Sequence, residues 1–141
     1  MNKLKFISII IIALSFFSCA DSNDIEEIPL KLPDLKQTEW KGTLITKYRG
    51  EIDDRGKVSI IFFTEDRGNS RVVQYGKVQT RDFKYTKDDK LLTIEDASNS
   101  IYLHDLEGDW ILTEIATNRL VLVQGFEGAY EQLVMELYKV E

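Results

Sequence analysis

From about residue 38 to the end, short apolar or alternating runs are interrupted every 8–14 residues or so by clusters of turn-forming residues, and this rhythm restricts the fold more than any other feature. The clusters are Asp53-Asp54-Arg55-Gly56, Glu65-Asp66-Arg67-Gly68-Asn69, Lys87-Asp88-Asp89-Lys90, Asp96-Ala97-Ser98-Asn99, Glu107-Gly108, Thr117-Asn118-Arg119 and Gly125-Phe126-Glu127-Gly128. Glycine reaches positive φ without steric cost, and Asp and Asn bond to their own backbone, so such clusters reverse the chain. Between them, Val58-Ser59-Ile60-Ile61-Phe62-Phe63, Arg71-Val72-Val73-Gln74-Tyr75 and Leu120-Val121-Leu122-Val123 carry the β-branched and aromatic residues that suit a pleated, half-buried surface. Eight or nine strands are predicted, at about 38–49, 57–65, 70–78, 81–86, 90–95, 100–104, 109–116, 119–124 and 131–140. The last run has a composition open to helix, but its Leu133, Met135, Leu137 alternation is read as a strand.

A row of antiparallel strands joined by short turns has two exposed edges unless it closes on itself. The predicted fold is therefore all-β, an antiparallel up-and-down meander closing into a small eight-stranded barrel over residues 35–141. Alternation assigns to the interior Trp40, Gly42, Leu44 and Thr46; Val58, Ile60 and Phe62; Val72 and Gln74; Phe83 and Tyr85; Leu92 and Ile94; Ile101 and Leu103; Trp110 and Leu112; Leu120 and Leu122; and Leu133, Met135 and Leu137. This set is bulky, so the expected barrel is filled or at most a shallow cup. Ile61, Phe63, Val73 and Tyr75 fall on the opposite face as an apolar outer stripe, to be covered by the Ile28, Leu30, Leu32, Leu35 segment or by a partner protein.

Two segments carry a family resemblance. Leu35-Lys36-Gln37-Thr38-Glu39-Trp40-Lys41-Gly42 resembles the opening strand of a lipocalin-like (calycin) domain, and the hairpin from Trp110 through Thr117-Asn118-Arg119 to Leu122 is similar to that of small lipocalin-like domains in Bacteroides-type lipoproteins. The likeness covers roughly residues 35–141. It implies a lipocalin-like barrel with Trp40 plugging one end and an interior able to hold one small apolar ligand if it is not filled. The ligand-binding candidates are then Trp40, Phe62, Tyr85, Trp110, Leu112 and Glu114.

The N-terminus speaks of location. Lys3 and Lys5 precede an uncharged stretch from Phe6 to Ser18, which ends at Cys19, the single cysteine of the chain. That stretch is short for a membrane span and has the layout of a cleaved signal peptide over residues 1–18, with Cys19 as the lipidated residue of a bacterial lipoprotein. Two or more acyl chains anchor a protein stably without a transmembrane helix. Removal of residues 1–18 takes away two lysines and no acid, so the 18 basic residues fall to 16 against 24 acidic ones, a net charge near −8. Nucleic acid is excluded as a partner on that charge. Residues 19–34 read as a tether: Ala20-Asp21-Ser22-Asn23-Asp24-Ile25-Glu26-Glu27 is acidic and polar, and Pro29 and Pro33, the only prolines, favour an extended chain. Ala20 after the cysteine directs the expectation to the outer membrane, periplasmic or surface-facing.

Chemistry-bearing motifs are sparse. His104 is the single histidine, so neither an imidazole metal cage nor a His relay is expected. No serine has a nucleophile-elbow setting, and no Gly-rich loop opens a helix. Glu114, flanked by apolar residues, is either an inward carboxylate or a water-facing one at a strand kink. Asp105, Glu107 and Asp109 alternate but lack the spacing of a calcium loop, and read as a solvated turn. No catalytic residue, metal or cofactor is therefore expected. The expected function is a lipid-anchored, non-enzymatic envelope binding module, holding a small apolar ligand or docking a neighbouring protein. The alternative is an accessory or inhibitor/immunity-type lipoprotein that binds only protein through a filled barrel.

Overall fold

The computed structural model describes residues 29–95 and 106–141. Cys19, most of the tether, the strand expected at 100–104 and His104 lie outside the described residues. Eight strands run β1 (Thr38–Tyr48), β2 (Glu51–Phe62), β3 (Arg67–Gln74), β4 (Lys77–Asp88), β5 (Leu91–Glu95), β6 (Gly108–Ala116), β7 (Arg119–Gln124) and β8 (Glu131–Lys139). Each pairs antiparallel with the next, and β8 returns to β1 in a continuous ladder from Trp40↔Lys139 to Tyr48↔Glu131. The meander is a closed barrel with no free edge, and among the described residues there is no helix.

Two turns differ from their expected places. The β1–β2 reversal sits at Arg49–Gly50, with φ of 51° and 84°, and the β3–β4 reversal at Tyr75–Gly76, with φ of 48° and 73°. Two successive positive φ values give the tight hairpin turn whose twist matches that of the flanking strands, and a glycine at the second position makes it inexpensive. Asp53-Asp54-Arg55-Gly56, expected as a turn, is therefore part of β2, and the expected break near 79–80 is the middle of β4. Asp53 is the extra residue of a bulge: Lys47 pairs with Ile52 and Thr46 with Asp54, leaving Asp53 unopposed. Gly56 and Gly68, both buried, serve packing instead of turning. A Cβ on Gly56 would lie 2.5 Å from Gln74 Cγ, and one on Gly68 would lie 2.5 Å from the Phe83 ring.

The expected interior residues that are described form the core, among them Trp40, Leu44, Ile60, Phe62, Leu92, Ile94, Trp110, Leu112, Leu122 and Met135. Phe62 meets Tyr85 edge-on at 4.9 Å and Phe83 at 5.8 Å between ring centres. The polar atoms that these rings carry inward are satisfied: Trp110 Nε1 donates to Leu106 O at 2.8 Å, Tyr85 Oη to Thr64 O at 2.6 Å and Trp40 Nε1 to Thr38 Oγ1 at 2.8 Å. Burying a large apolar side chain is worth about 1.5–3 kcal/mol, so this filled interior carries the stability of the barrel.

The segment before β1 crosses one end of the barrel as a strap. Leu32 and Leu35 are buried in the core, Leu32 N donates to Asp89 O at 2.7 Å, and Lys87 Nζ donates to Pro33 O at 2.9 Å. This corrects the expectation that Leu32 and Leu35 cover the outer stripe. An open barrel end leaves core residues facing water, and the strap covers that larger apolar demand. On the stripe, Phe63 and Tyr75 stay exposed, and Ile61 and Val73 are half-buried.

A bulge between Leu112 and Glu114 reverses the in–out order of β6, so that Leu112 pairs with Leu122 but Glu114 pairs with Val121. Glu114 consequently sits on the outer face, where Arg119 donates to it and to Glu136, each at 2.7 Å, and Tyr138 Oη also donates to Glu136 at 2.7 Å. The bonds from Tyr138 and Arg119 hold the Glu136 carboxyl below its ordinary pKa.

Trp40→Ala should lower the unfolding free energy by about 3–5 kcal/mol in urea titration, because it empties the largest buried site beside the strap. A lowered folded pKa adds stability above the unfolded value, lost as pH falls through the folded one. Glu136→Gln should thus flatten part of the loss of stability below the ordinary carboxylate range, checked by urea titrations at a series of acid pH values; an unchanged acid limb would contradict the assigned network.

Candidate functional site

The two ends of the barrel differ in chemistry. At the strap end, the β2–β3, β4–β5 and β6–β7 turns surround Leu32 and Leu35. At the opposite end, here the mouth, lie the Arg49–Gly50 and Tyr75–Gly76 turns and the loop from Gly125 to Tyr130. Going from strap to mouth, the inward positions change from apolar to polar. On β2 they run Phe62, Ile60, Val58, Gly56 and then Asp54. On β4 they run Tyr85 and Phe83, then Arg81 and Gln79.

Directly opposed residues of an antiparallel pair share a face, which confirms these orientations. Asp54 is opposite the buried Thr46, Gln79 opposite the buried Val72, and Arg81 opposite the buried Ser70. Gln74 lies deepest, only 2 % exposed, laid over Gly56 with Nε2 donating to Thr46 Oγ1 at 3.0 Å. Among the described residues, four buried side-chain atoms have no hydrogen-bond partner: Asp54 Oδ2, Gln74 Oε1, Gln79 Oε1 and Arg81 Nε. All four belong to inward side chains of β2–β4, spread along the strands from Asp54 near the mouth to Arg81, which is opposite Ser70. An orphaned buried polar group costs about 1–3 kcal/mol, so four together in a small barrel call for an explanation.

Beside these side chains, Glu107, Gln124, Gly125, Glu131 and Leu133 line a depression of about 290 Å³. Leu133 is the cross-strand neighbour of Thr46, which bonds Gln74, so the depression adjoins Gln74 through β1 and β8. Around the mouth stand exposed apolar side chains: Phe126, Tyr130, Tyr75, Val78 and Ile52. Tyr130 is fixed in place, with the Tyr48 ring 5.8 Å away edge-on, the Arg49 guanidinium 5.4 Å from its ring centre, and its carbonyl accepting from Arg49 N at 3.0 Å. Tyr75 Oη donates to Asp53 Oδ2 at 2.8 Å, and desolvation, then that bond and the Asp53 and Asp54 charges, push its pKa up to about 12.

Five of the expected ligand-binding residues are core residues. Phe62, Tyr85, Trp110 and Leu112 are buried among their neighbours, and Trp40 lines a depression of about 410 Å³ at the strap end, beside Pro33, Ile115, Leu120 and Lys139. That depression is larger than the one at the mouth, and neither is lined by any of the orphaned polar groups. Glu114, the sixth, is an outer-face residue for the reason given above: it takes the water-facing place at a strand kink that was one of its two expected positions, and it does not join a site inside the barrel. Asp109, expected in a solvated turn, accepts from Thr93 Oγ1 at 2.7 Å, and among the described residues no group of three His, Cys, Asp or Glu side chains could hold a metal ion. Asp105 lies outside the described residues.

Of these inward polar residues, the sequence places Thr46 and Gln74 inside, whereas Asp54 falls in an expected turn cluster and Gln79 in an expected strand break. The signal was nevertheless present in Arg71-Val72-Val73-Gln74-Tyr75-Gly76-Lys77-Val78-Gln79-Thr80-Arg81-Asp82-Phe83: continuing the alternation back from Phe83 through the whole strand puts Arg81 and Gln79 inside. Comparison with known proteins gives no matching family model, no matching curated protein and no matching solved structure. The site rests on its geometry alone.

If these inward polar groups are kept at the expense of stability, replacing a bonded polar pair by apolar groups of similar shape should cost nothing. The double variant Thr46→Val/Gln74→Met should unfold at the same or higher urea concentration than the parent. A loss of more than about 1 kcal/mol would mean that Gln74 is a structural anchor.

Proposed function

We propose that this protein is a lipid-anchored, non-enzymatic binding module of the bacterial outer membrane, acylated on Cys19, with the barrel mouth as its binding end. The observation that carries this reading is the polarity of the barrel. The chain arrives from its N-terminal side at the strap end, where Leu32 and Leu35 seal the core, while the exposed aromatics Phe126, Tyr130 and Tyr75 gather at the other end. An anchored barrel with that connectivity turns its sealed end to the membrane and its mouth away from it.

The filled interior supports a binding role at the mouth over a deep apolar calyx, because Phe62, Tyr85 and Leu112 occupy the space that an apolar ligand would need. The aromatic rim supports contact with a neighbouring envelope component, since Tyr and Phe are enriched at the centres of interfaces. The absence of a nucleophile, a paired acid and base or a His relay among the motifs of the sequence supports a role without covalent chemistry.

Two measurements test the reading. Cys19→Ser should move the protein from the membrane fraction to the soluble fraction; retention in the membrane would contradict the anchor. A photo-crosslinking residue placed at Phe126 or Tyr130 in cells should capture an envelope component that the same residue at Glu65, on the strap end, does not. Adducts from Glu65 alone would place the binding end on the wrong side of the barrel.

A further inference from the structure

We infer that the outer wall of β1–β3 is a docking track for an acidic segment of a partner protein, carried by Lys47, Arg55, Lys57 and Arg71. The inference rests on the reading of the protein as an envelope docking module and names the charge of what it docks.

Directly opposed residues of paired strands share a face, and the register lays the track out. Ser59 stands between Lys41 on β1 and Arg71 on β3, which straddle it at two strand spacings, about 10 Å. One step towards the mouth, Lys57 lies between Thr43 and Val73; the next step brings Arg55 opposite Ile45, and the next Lys47 opposite Ile52. The track runs about 20 Å along the wall. At its strap-side end Lys41, Lys57, Ser59, Arg71 and Val73 line a depression of about 200 Å³.

The chain carries 24 acidic against 18 basic residues, yet the outward positions within 41–47, 55–59 and 71–73 hold five cations and no acid. The acids that border them are engaged. Glu39 pairs with Lys41 at 2.7 Å, Asp53 accepts from Tyr75, Asp82 from Asn69, and Glu136 from Arg119 and Tyr138. Lys47, Arg55, Lys57 and Arg71 have no ion pair or side-chain hydrogen bond among the described residues. Like charges held side by side repel, and an anionic partner converts that repulsion into attraction and register.

The neighbours of the track select a protein segment as the anion. Val73 and Ile45 are half-buried between the cations, and exposed Ile52, Val78 and Tyr75 lie at its mouth-side end, so apolar and cationic side chains are interleaved. Arg and Tyr are enriched in protein interfaces. A free phosphate would use the depression alone and leave Arg55, Lys47 and the apolar neighbours without a role. A bilayer would have to lie along the wall, whereas the proposed anchoring turns the strap end to the membrane. An extended segment alternating acidic and apolar residues meets both kinds of neighbour and continues onto the rim at Tyr75.

The test is NMR on the isotope-labelled, full-length acylated protein in zwitterionic detergent at low salt, titrated with a short peptide that alternates Glu and Leu. The contrasts are its Gln/Leu counterpart, inorganic phosphate and phosphatidylglycerol vesicles. Shifts at the amides of Arg55, Lys57 and Arg71 are expected with the Glu/Leu peptide, fading as salt rises. Lys57→Glu/Arg71→Glu should weaken binding about tenfold. Lys31→Glu/Lys90→Glu, the same change in net charge made at the strap end, should alter it by about twofold or less. Should the first variant misfold, a photo-crosslinking residue at Thr80, directly opposite Arg71, replaces it: it should capture the Glu/Leu peptide where one at Lys90 does not.

No response to the Glu/Leu peptide, an equal response to the Gln/Leu peptide, a response to phosphate or vesicles alone, or equal weakening by both variants would overturn the inference. Any of these results together with crosslinks in cells from Phe126 or Tyr130 would leave the mouth reading standing without an acidic partner. Peptide binding at the wall without such crosslinks would uphold the track and overturn the mouth as the binding end.

Discussion

Everything in this molecule depends on the ladder that joins β8 to β1. Without it the meander is a twisted sheet with two free edges and one apolar face open to water; with it, each inward side chain gains neighbours across the barrel. Closure converts a list of alternating residues into a core, fixing Trp40, Phe62 and Met135 in one interior although they are far apart in sequence. It also creates two ends, and an end is where a barrel of this size has unfinished business with solvent. The strap completes one of them with Leu32 and Leu35.

Among the described residues, no strap of that kind covers the other end. A barrel optimised for stability would carry apolar side chains up to its turns, or pair every polar group that it buries. Here Gln74, Gln79, Asp54 and Arg81 are placed inward with atoms left unpartnered, next to a buried apolar core. Local departures from otherwise consistent design are where function is expected. The filled core limits the proposed binding role, since the aromatic cluster of Phe62, Phe83 and Tyr85 occupies the interior below the mouth.

The sequence made the fold legible because period-two alternation and turn clusters are local signals, and barrel closure follows from counting edges. The buried rows on β1, β2, β7 and β8 follow directly from alternation. The places that misled are equally physical. Arg49–Gly50 and Tyr75–Gly76 are two-residue turns, each with a single glycine, and they were overshadowed by the denser Asp-rich segment nearby, which the barrel uses as strand. Glu114, open in the sequence between an inward place and a water-facing one at a strand kink, takes the second because of a bulge that leaves no mark in composition. The strap was seen as apolar, but its destination depends on which end of a closed barrel lacks a cover, and that is a property of the tertiary structure. The inward polar groups are legible only in part: Gln74 falls in the expected inward row and Arg81 in phase with Phe83 and Tyr85 on the expected strand 81–86, whereas Gln79 falls in the expected break and Asp54 in an expected turn.

The central claim is that the barrel is filled by its apolar core and holds unpartnered polar groups inward. The most direct check is a high-resolution crystal structure of the protein extracted from its own membrane, with attention to density not accounted for by the polypeptide. The account predicts ordered water within hydrogen-bond distance of Gln74 Oε1, Gln79 Oε1 and Arg81 Nε, and none among Phe62, Tyr85 and Leu112. A molecule lodged between those three core side chains, or the four inward polar groups bonded to one another, would contradict it.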